Sequence, residues 1–254
     1  GKIAKAGAAM LTSFGGFAGK AFMDFEDSMA IVQTIADTSA VSMEQLSAAA
    51  LETSDVTGQA ATEIAAAAYS AISAGVDTAD AIGVVEQAAK AAKAGLSDTE
   101  TVIDGLTSAM NAWKISYSDA ETVLNKMIVT QNVGKTTIDQ LASSLGNVTG
   151  IAPQVGVSLE EILAATAAMT KNGYQTGVSM NALKAVMSAV IKPTSEAAEA
   201  AKEMGLKFDA AALRSKGLIG FLEDVAAKTG GSEDKLAKLF GSVEALGGVM
   251  LLTG

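Results

Sequence analysis

Gly134-Lys135-Thr136 has the residue types that close a phosphate-binding loop. Four adjacent carboxylate pairs, Glu26-Asp27, Glu160-Glu161, Glu223-Asp224 and Glu233-Asp234, have the types needed for acid–base catalysis. Neither set meets the further requirements of its chemistry. A phosphate loop needs a glycine five residues before its second glycine, directly after a strand. That position holds Val129, and the preceding segment has helical periodicity. The triplet therefore reads as a helix-end turn leading into a cap at Thr137. Most of the carboxylate pairs fall at or near expected helix starts, where acids favour the helix dipole. The calcium-loop spacing D-x-[DN]-x-[DN]-G does not occur.

Composition narrows the chemistry further. With no cysteine there is no disulfide framework, thiolate metal site or thiol nucleophile. With no histidine, the commonest base near neutral pH and the commonest transition-metal ligand are both missing. Arg214 is the one arginine. The sequence accordingly predicts no catalytic, cofactor-binding or metal-ligating residue, and a protein that is not an enzyme.

The elements that would position any site are helical. Fifty alanines and two prolines in 254 residues, with 49% apolar and 4% aromatic residues, describe a core of small aliphatic side chains. Caps of the Ser/Thr-x-x-Glu/Gln kind or close variants recur at Ser42…Gln45, Asp77…Asp80, Ser97…Glu100, Ser118…Glu121, Thr137…Gln140 and Ser158…Glu161. Gly75, Gly95, Gly173, Gly205 and Gly230 stand where left-handed residues would end helices, and Pro193 stops the run 178–191. Apolar stripes at helical spacing comprise Val102, Ile103, Leu106, Met110 and Trp113, then Val123, Leu124, Met127 and Ile128, then Met180, Leu183, Val186, Met187 and Val190. The segments beginning at Val76, Leu96 and Tyr117 repeat one another at twenty to twenty-one residues, one helix and one turn each. The expectation is an all-α fold, an array of about a dozen short antiparallel helices in helical hairpins, with no sheet.

Two regions are expected. Residues 1–36 form an apolar N-terminal helical segment with a Gly15-Gly16 kink. Residues 37–254 form the helical-hairpin core, a fragment of a longer chain. The uncharged stretch 6–19 would reach only about 21 Å as a helix, against a hydrocarbon core of about 30 Å. It reads as a buried or interface helix rather than a membrane span. Charge is uneven: residues 24–125 carry sixteen acids and three lysines, whereas 126–254 balance at twelve against twelve. An acidic surface without clustered Lys/Arg and interleaved aromatics excludes sequence-specific nucleic-acid binding.

From Phe22-Met23-Asp24-Phe25-Glu26-Asp27-Ser28-Met29 onward the chain resembles the phage tail tape measure proteins, in the minor-tail core region of that family. Phe25, Glu26 and Met29 match its opening helix, and Ala74-Gly75 and Ala94-Gly95 match helix ends that follow. The more specific part is Leu159-Glu160-Glu161-Ile162-Leu163-Ala164, then Asn172-Gly173, Gly177 and Ala182-Leu183-Lys184. It closes with Pro193-Thr194, Ala197-Ala198 and Met204-Gly205-Leu206. The resemblance spans roughly residues 22–245 and departs at Lys184, where many relatives have arginine.

The resemblance implies a structural component of a phage or prophage-derived tail, acting in tail assembly, tail-length determination and DNA ejection. It implies a virion location in the tail-tube lumen or tail tip, after assembly in the host cytoplasm. Implied partners are other copies of the chain in a several-fold, often threefold, arrangement, tail-tube and tail-tip proteins, and the host membrane during ejection. Every helix-like run breaks within about twenty residues, so this region reads as globular and tip-proximal rather than as the long helical ruler. The alternative from a different class is a membrane-active helical protein, a pore former or DNA-translocation component. Its support is the N-terminal apolar stretch and a mean hydropathy of +0.32.

Overall fold

The computed structural model describes residues 19–253, so the Gly15-Gly16 kink and most of the 6–19 stretch lie outside the described residues. Among the described residues there are thirteen α-helices and no strand, the all-α class expected. The chain divides into two compact units, one ending at Lys90 and one beginning at Ala91.

The first unit holds α1 (19–33), α2 (Met43–Thr57), α3 (Ala61–Ser73) and most of α4 (Thr78–Gly95). In α1, Phe25, Met29 and Val32 are buried, a 4-then-3 spacing that places them on one face. Leu46 and Ala50 of α2 meet α3, which buries Ile64, Ala65, Ala67, Ala68 and Ala71. Ser42 and Gln45 form the capping box foreseen for α2, the Gln45 N–H donating to the Ser42 hydroxyl at 3.3 Å. The Asp37 N–H donates to Thr78 Oγ1 at 2.9 Å, fastening the turn after α1 to the start of α4.

The second unit contains α5 (Thr99–Trp113), α6 (Ala120–Val133), α7 (Ile138–Thr149), α8 (Leu159–Lys171) and α9 (Thr176–Ile191). These are followed by α10 (Ser195–Glu203), α11 (Ala210–Thr229), α12 (Glu233–Leu239) and α13 (Val243–Thr253). Helices adjacent in the chain are joined by short turns, but much of the most extensive packing skips one helix. It runs α5 on α7 and α7 on α9, with α6 on α8 in the same manner, while α9 also packs on α13, beyond three intervening helices. Ser97, just before α5, bonds Asp139 at the start of α7 at 3.1 Å, while Gly105 in mid-α5 lies against Ala142 in mid-α7. Start meets start and middle meets middle, so α5 and α7 are parallel. The same holds for α6 and α8, joined by Lys126–Glu160 near their first halves and Gly134–Thr170 at their ends.

The packing unit is therefore a helix pair. Helices α5 and α7 begin at 99 and 138, and α6 and α8 at 120 and 159, so equivalent positions recur 39 residues apart. Asp98 and Thr137 occupy the same capping position in successive pairs. The twenty-residue repeat legible in the sequence is half of this unit.

Small residues make the close approach possible. A Cβ at Gly105 would lie 2.5 Å from the Ala142 Cα, so the two backbones touch directly. Three expectations about helix ends need correction. Gly95 does not have a left-handed backbone; it is the last residue of α4, and a Cβ there would lie 2.1 Å from Ile138 Cγ2. The left-handed position falls one residue later, on the exposed Leu96 (φ 54°), and glycine stands at 95 because the space beside Ile138 tolerates no side chain. Gly75, Gly173, Gly205 and Gly230 do have positive φ, as foreseen. The cap of α5 is Asp98, not Ser97, because the Ser97 hydroxyl reaches across to Asp139. The start of α6 is preceded by a 3-10 turn, Tyr117–Asp119, capped by Ser116 rather than by Ser118.

The stripes are largely core. Val102, Ile103, Leu106 and Met110 are buried, as are Val123, Leu124 and Met127 and all five of Met180, Leu183, Val186, Met187 and Val190, whereas Ile128 is half-buried. Trp113 is half-buried and donates its indole N–H to the Val157 carbonyl at 2.9 Å. Buried threonines satisfy their own hydroxyls on the preceding turn, Thr166 on the Ile162 carbonyl (2.7 Å) and Thr107 on Ile103 (2.8 Å).

Candidate functional site

The residues singled out for chemistry are placed apart, and those of the Gly134 turn and of Glu160-Glu161 are engaged in structural contacts. Gly134 ends α6 with an extended backbone, and a Cβ there would lie 2.9 Å from the Ala167 Cα. The Lys135 N–H donates to Thr170 Oγ1 at 3.2 Å, and the Thr136 hydroxyl pairs with Thr176 at 2.7 Å. The triplet follows a helix and joins the α6–α7 turn to the end of α8 and the start of α9. It is the helix-end turn foreseen, with Thr137 capping α7 through the Gln140 N–H at 3.2 Å.

Of the carboxylate pairs, Glu160-Glu161 and Glu233-Asp234 stand in the first turns of α8 and α12. Glu26-Asp27 is exposed within α1, and Glu223-Asp224 lies well inside α11, where Asp224 pairs with Lys216. Glu160 pairs with Lys126 of α6, and the hydrogen bond from that ammonium holds its carboxyl below the ordinary range. Glu161 closes a capping box with Ser158, its carboxylate accepting from the Ser158 N–H at 3.0 Å. Asp98 accepts from the Thr101 N–H at 2.7 Å, a bond that likewise lowers its pKa. Among the described residues no group of three or more Asp or Glu side chains is arranged to hold a metal ion.

An open, mainly apolar groove of about 690 Å³ lies between α6 and α8. Val129 and Val133 of α6 form one wall, each 59% exposed. Leu163, Ala164, Ala167 and Ala168 of α8 form the other. The Lys126–Glu160 ion pair lies toward its first end and Lys171 at the other. The groove exists because α6 turns Val123, Leu124 and Met127 inward, leaving Val129 and Val133 one turn apart on the outer face. Facing them, the alanines of α8 have too little volume to fill the space.

No nucleophile, base and orienting group converge in this groove. Its walls are mainly apolar, with Thr122, Asn125 and Thr130 also at the lining and charges toward the two ends. Sequence reasoning assigned the inward stripe of α6 and missed the outward one. The signal available was the i, i+4 valine pair opposite a run of alanines.

A second pocket of about 470 Å³ lies where α7 and α9 begin. It is polar, and within it the Thr176 hydroxyl reaches both Gln140 Oε1 (3.1 Å) and the neighbouring Thr136 hydroxyl (2.7 Å). Among the described residues no helix is long and apolar enough to cross a membrane.

A family model described as phage-related minor tail protein matches residues 47–241. No curated protein and no solved structure matches the chain significantly.

Proposed function

The chain belongs to the family of phage-related minor tail proteins, a phage tail structural family, and from that membership we propose that it is a tape measure protein. In this reading it acts in tail assembly, sets tail length together with a longer helical stretch elsewhere in its chain, and leaves the tail ahead of the DNA. The region described here is a globular, tip-proximal part rather than the ruler. The observation that carries the division is the length of the helices. Among the described residues the longest is the twenty-residue α11, and Gly217 breaks it. A length gauge needs a continuous rod, and at about 1.5 Å per residue these helices give short segments only.

The role proposed is structural and non-enzymatic, resting on packing and capping residues. The partners proposed are further copies of the chain and the proteins of the tail tube and tip, in the virion. Contact with a host membrane during ejection belongs to the same proposal.

In-frame deletions in the phage or prophage that encodes the chain, followed by electron microscopy of its tails, test this reading. Deletions in a downstream helical stretch should shorten tails in proportion to the residues removed. Deletion of α5–α9 should abolish assembly. Tails of normal length after both deletions would overturn the proposal.

A further inference from the structure

Helices α1 and α2 border an open groove of about 290 Å³ within the first unit. Its walls include two matching rows at i, i+4 and i+8: Phe22, Glu26 and Ala30 on α1, and Met43, Ser47 and Leu51 on α2. Rows of this kind are the ridges between which a further helix packs. They flank the buried faces, which hold Phe25 and Met29 on one helix and Leu46 and Ala50 on the other. Phe22 is 56% exposed and Leu51 41%, so apolar surface is left open to solvent there. Glu26 is the one charge on the walls, and among the described residues it forms no ion pair.

Charge and length select what fits. Residues 24–57 contain seven acids and no lysine or arginine, which favours a basic occupant. Before Lys90 the basic residues are Lys2, Lys5 and Lys20 alone, and Lys20 already pairs with Asp24 at 3.5 Å. Lys2 and Lys5 belong to residues 1–18, which lie outside the described residues and contain no acid. In that sequence Ile3, Gly7, Met10 and Phe14 follow helical spacing and make one apolar stripe. Residues 3–14 would span about 18 Å as a helix. That is close to the length of α1 between Phe22 and Gln33, the two ends of its groove wall. Gly15-Gly16 follows at once. A glycine pair disfavours one continuous helix and supplies the backbone freedom of a two-residue helix–helix turn. Counted back from that turn, Lys5 comes level with Glu26 and Lys2 with Met29, within one turn of the same carboxylate.

We propose that residues 3–14 lie in the α1–α2 groove as an antiparallel helix, turned back at Gly15-Gly16 and steered to Glu26 by Lys2 and Lys5. This seat does not depend on the tape measure reading, since it rests on residues of the first unit.

The chain has no cysteine, so introduced pairs report on the seat without background. In the full chain, Ile3→Cys with Ala30→Cys places one thiol on the stripe and the other on the groove wall. Ile3→Cys with Ile31→Cys is the control, because Ile31 is exposed but does not line the groove. With a short bismaleimide at micromolar protein, the first pair should close within one chain at least about ten-fold faster than the control. Lys2→Glu with Lys5→Glu should slow that closure about two- to five-fold at low salt, and adding Glu26→Lys should restore it. Equal rates for the two pairs would overturn the seat. Cross-links between chains in place of closure would assign the groove to a second copy and overturn it too. Closure indifferent to charge reversal would do the same, by removing the reason for a basic occupant.

Discussion

The array α5–α9 and the cluster α10–α12 belong to one compact unit but keep their shape by opposite means. In the array, backbones touch where Gly105 meets Ala142 and Gly134 meets Ala167, and side-chain bonds such as Ser97–Asp139 and Thr136–Thr176 fix the helix ends. A helix seated on another backbone cannot slide without collision, so small residues set position although each buries little area. In the cluster, three phenylalanines, Phe208, Phe221 and Phe240, supply a large buried area and pack on one another. The cluster's place is set by packing of α11 on α8, α9 and α13, with polar contacts from Arg214 and at Gly217 added to that apolar seat.

The largest test of that contrast is Phe221→Ala. Emptying a buried phenylalanine site costs about 3–5 kcal/mol. If the cluster is cohesive by itself, urea denaturation followed by circular dichroism should split into an early transition for the cluster and a later one for the array. A single shifted transition would break the contrast.

Gly105→Ala comes next, with an expected loss of about 1–3 kcal/mol, because the obstacle is the Ala142 backbone and cannot turn aside. Gly146→Ala in α7 is its control. No atom lies within 4 Å of the added Cβ, so it should gain up to about 1 kcal/mol. Equal effects at the two sites would remove backbone contact as the array's organising device.

Asp98→Ala should cost about 1 kcal/mol at pH 7 through loss of the α5 cap. Because the bond from Thr101 lowers the Asp98 pKa in the folded state, this contribution is complete above the ordinary aspartate value near 3.9. It disappears as pH falls through the lowered folded value. The stability gap between the variant and the parent chain should therefore close in acid, and a gap constant with pH would assign the loss to something other than the carboxylate.

The smallest effect belongs to Lys126→Ala. The ion pair it makes with Glu160 is exposed, so the loss should stay below about 1 kcal/mol and shrink further in salt. A larger, salt-insensitive loss in thermal denaturation would make the pair a strut of the groove.

Much of the helical architecture was legible in the sequence because its signals are local. Ser42, Thr137 and Ser158 cap within their own first turns, and the inward stripes of α5 and α9 need only helical periodicity. Ser97 and Gly95 were misread for the same reason. Each looks like a local cap, but its role is set by Asp139 and Ile138, about forty residues away. The groove was invisible for a related reason. Val129 and Val133 become a wall only when α8 lies parallel to α6, and nothing within α6 specifies that neighbour. Glu161 was read as the reciprocal acid of the α8 cap, which it is. Its second oxygen serves a helix start 57 residues later, beyond the reach of any local pattern.

The 39-residue offset between equivalent helices carries a consequence for how such a chain can change in length. Adding or removing one helix would reverse the direction of everything after it and turn Gly105-type contacts toward solvent. Adding or removing two would restore each direction and the capping position shared by Asp98 and Thr137. Insertions and deletions in the array are thus quantised: the chain can grow or shrink by whole pairs while single steps are forbidden.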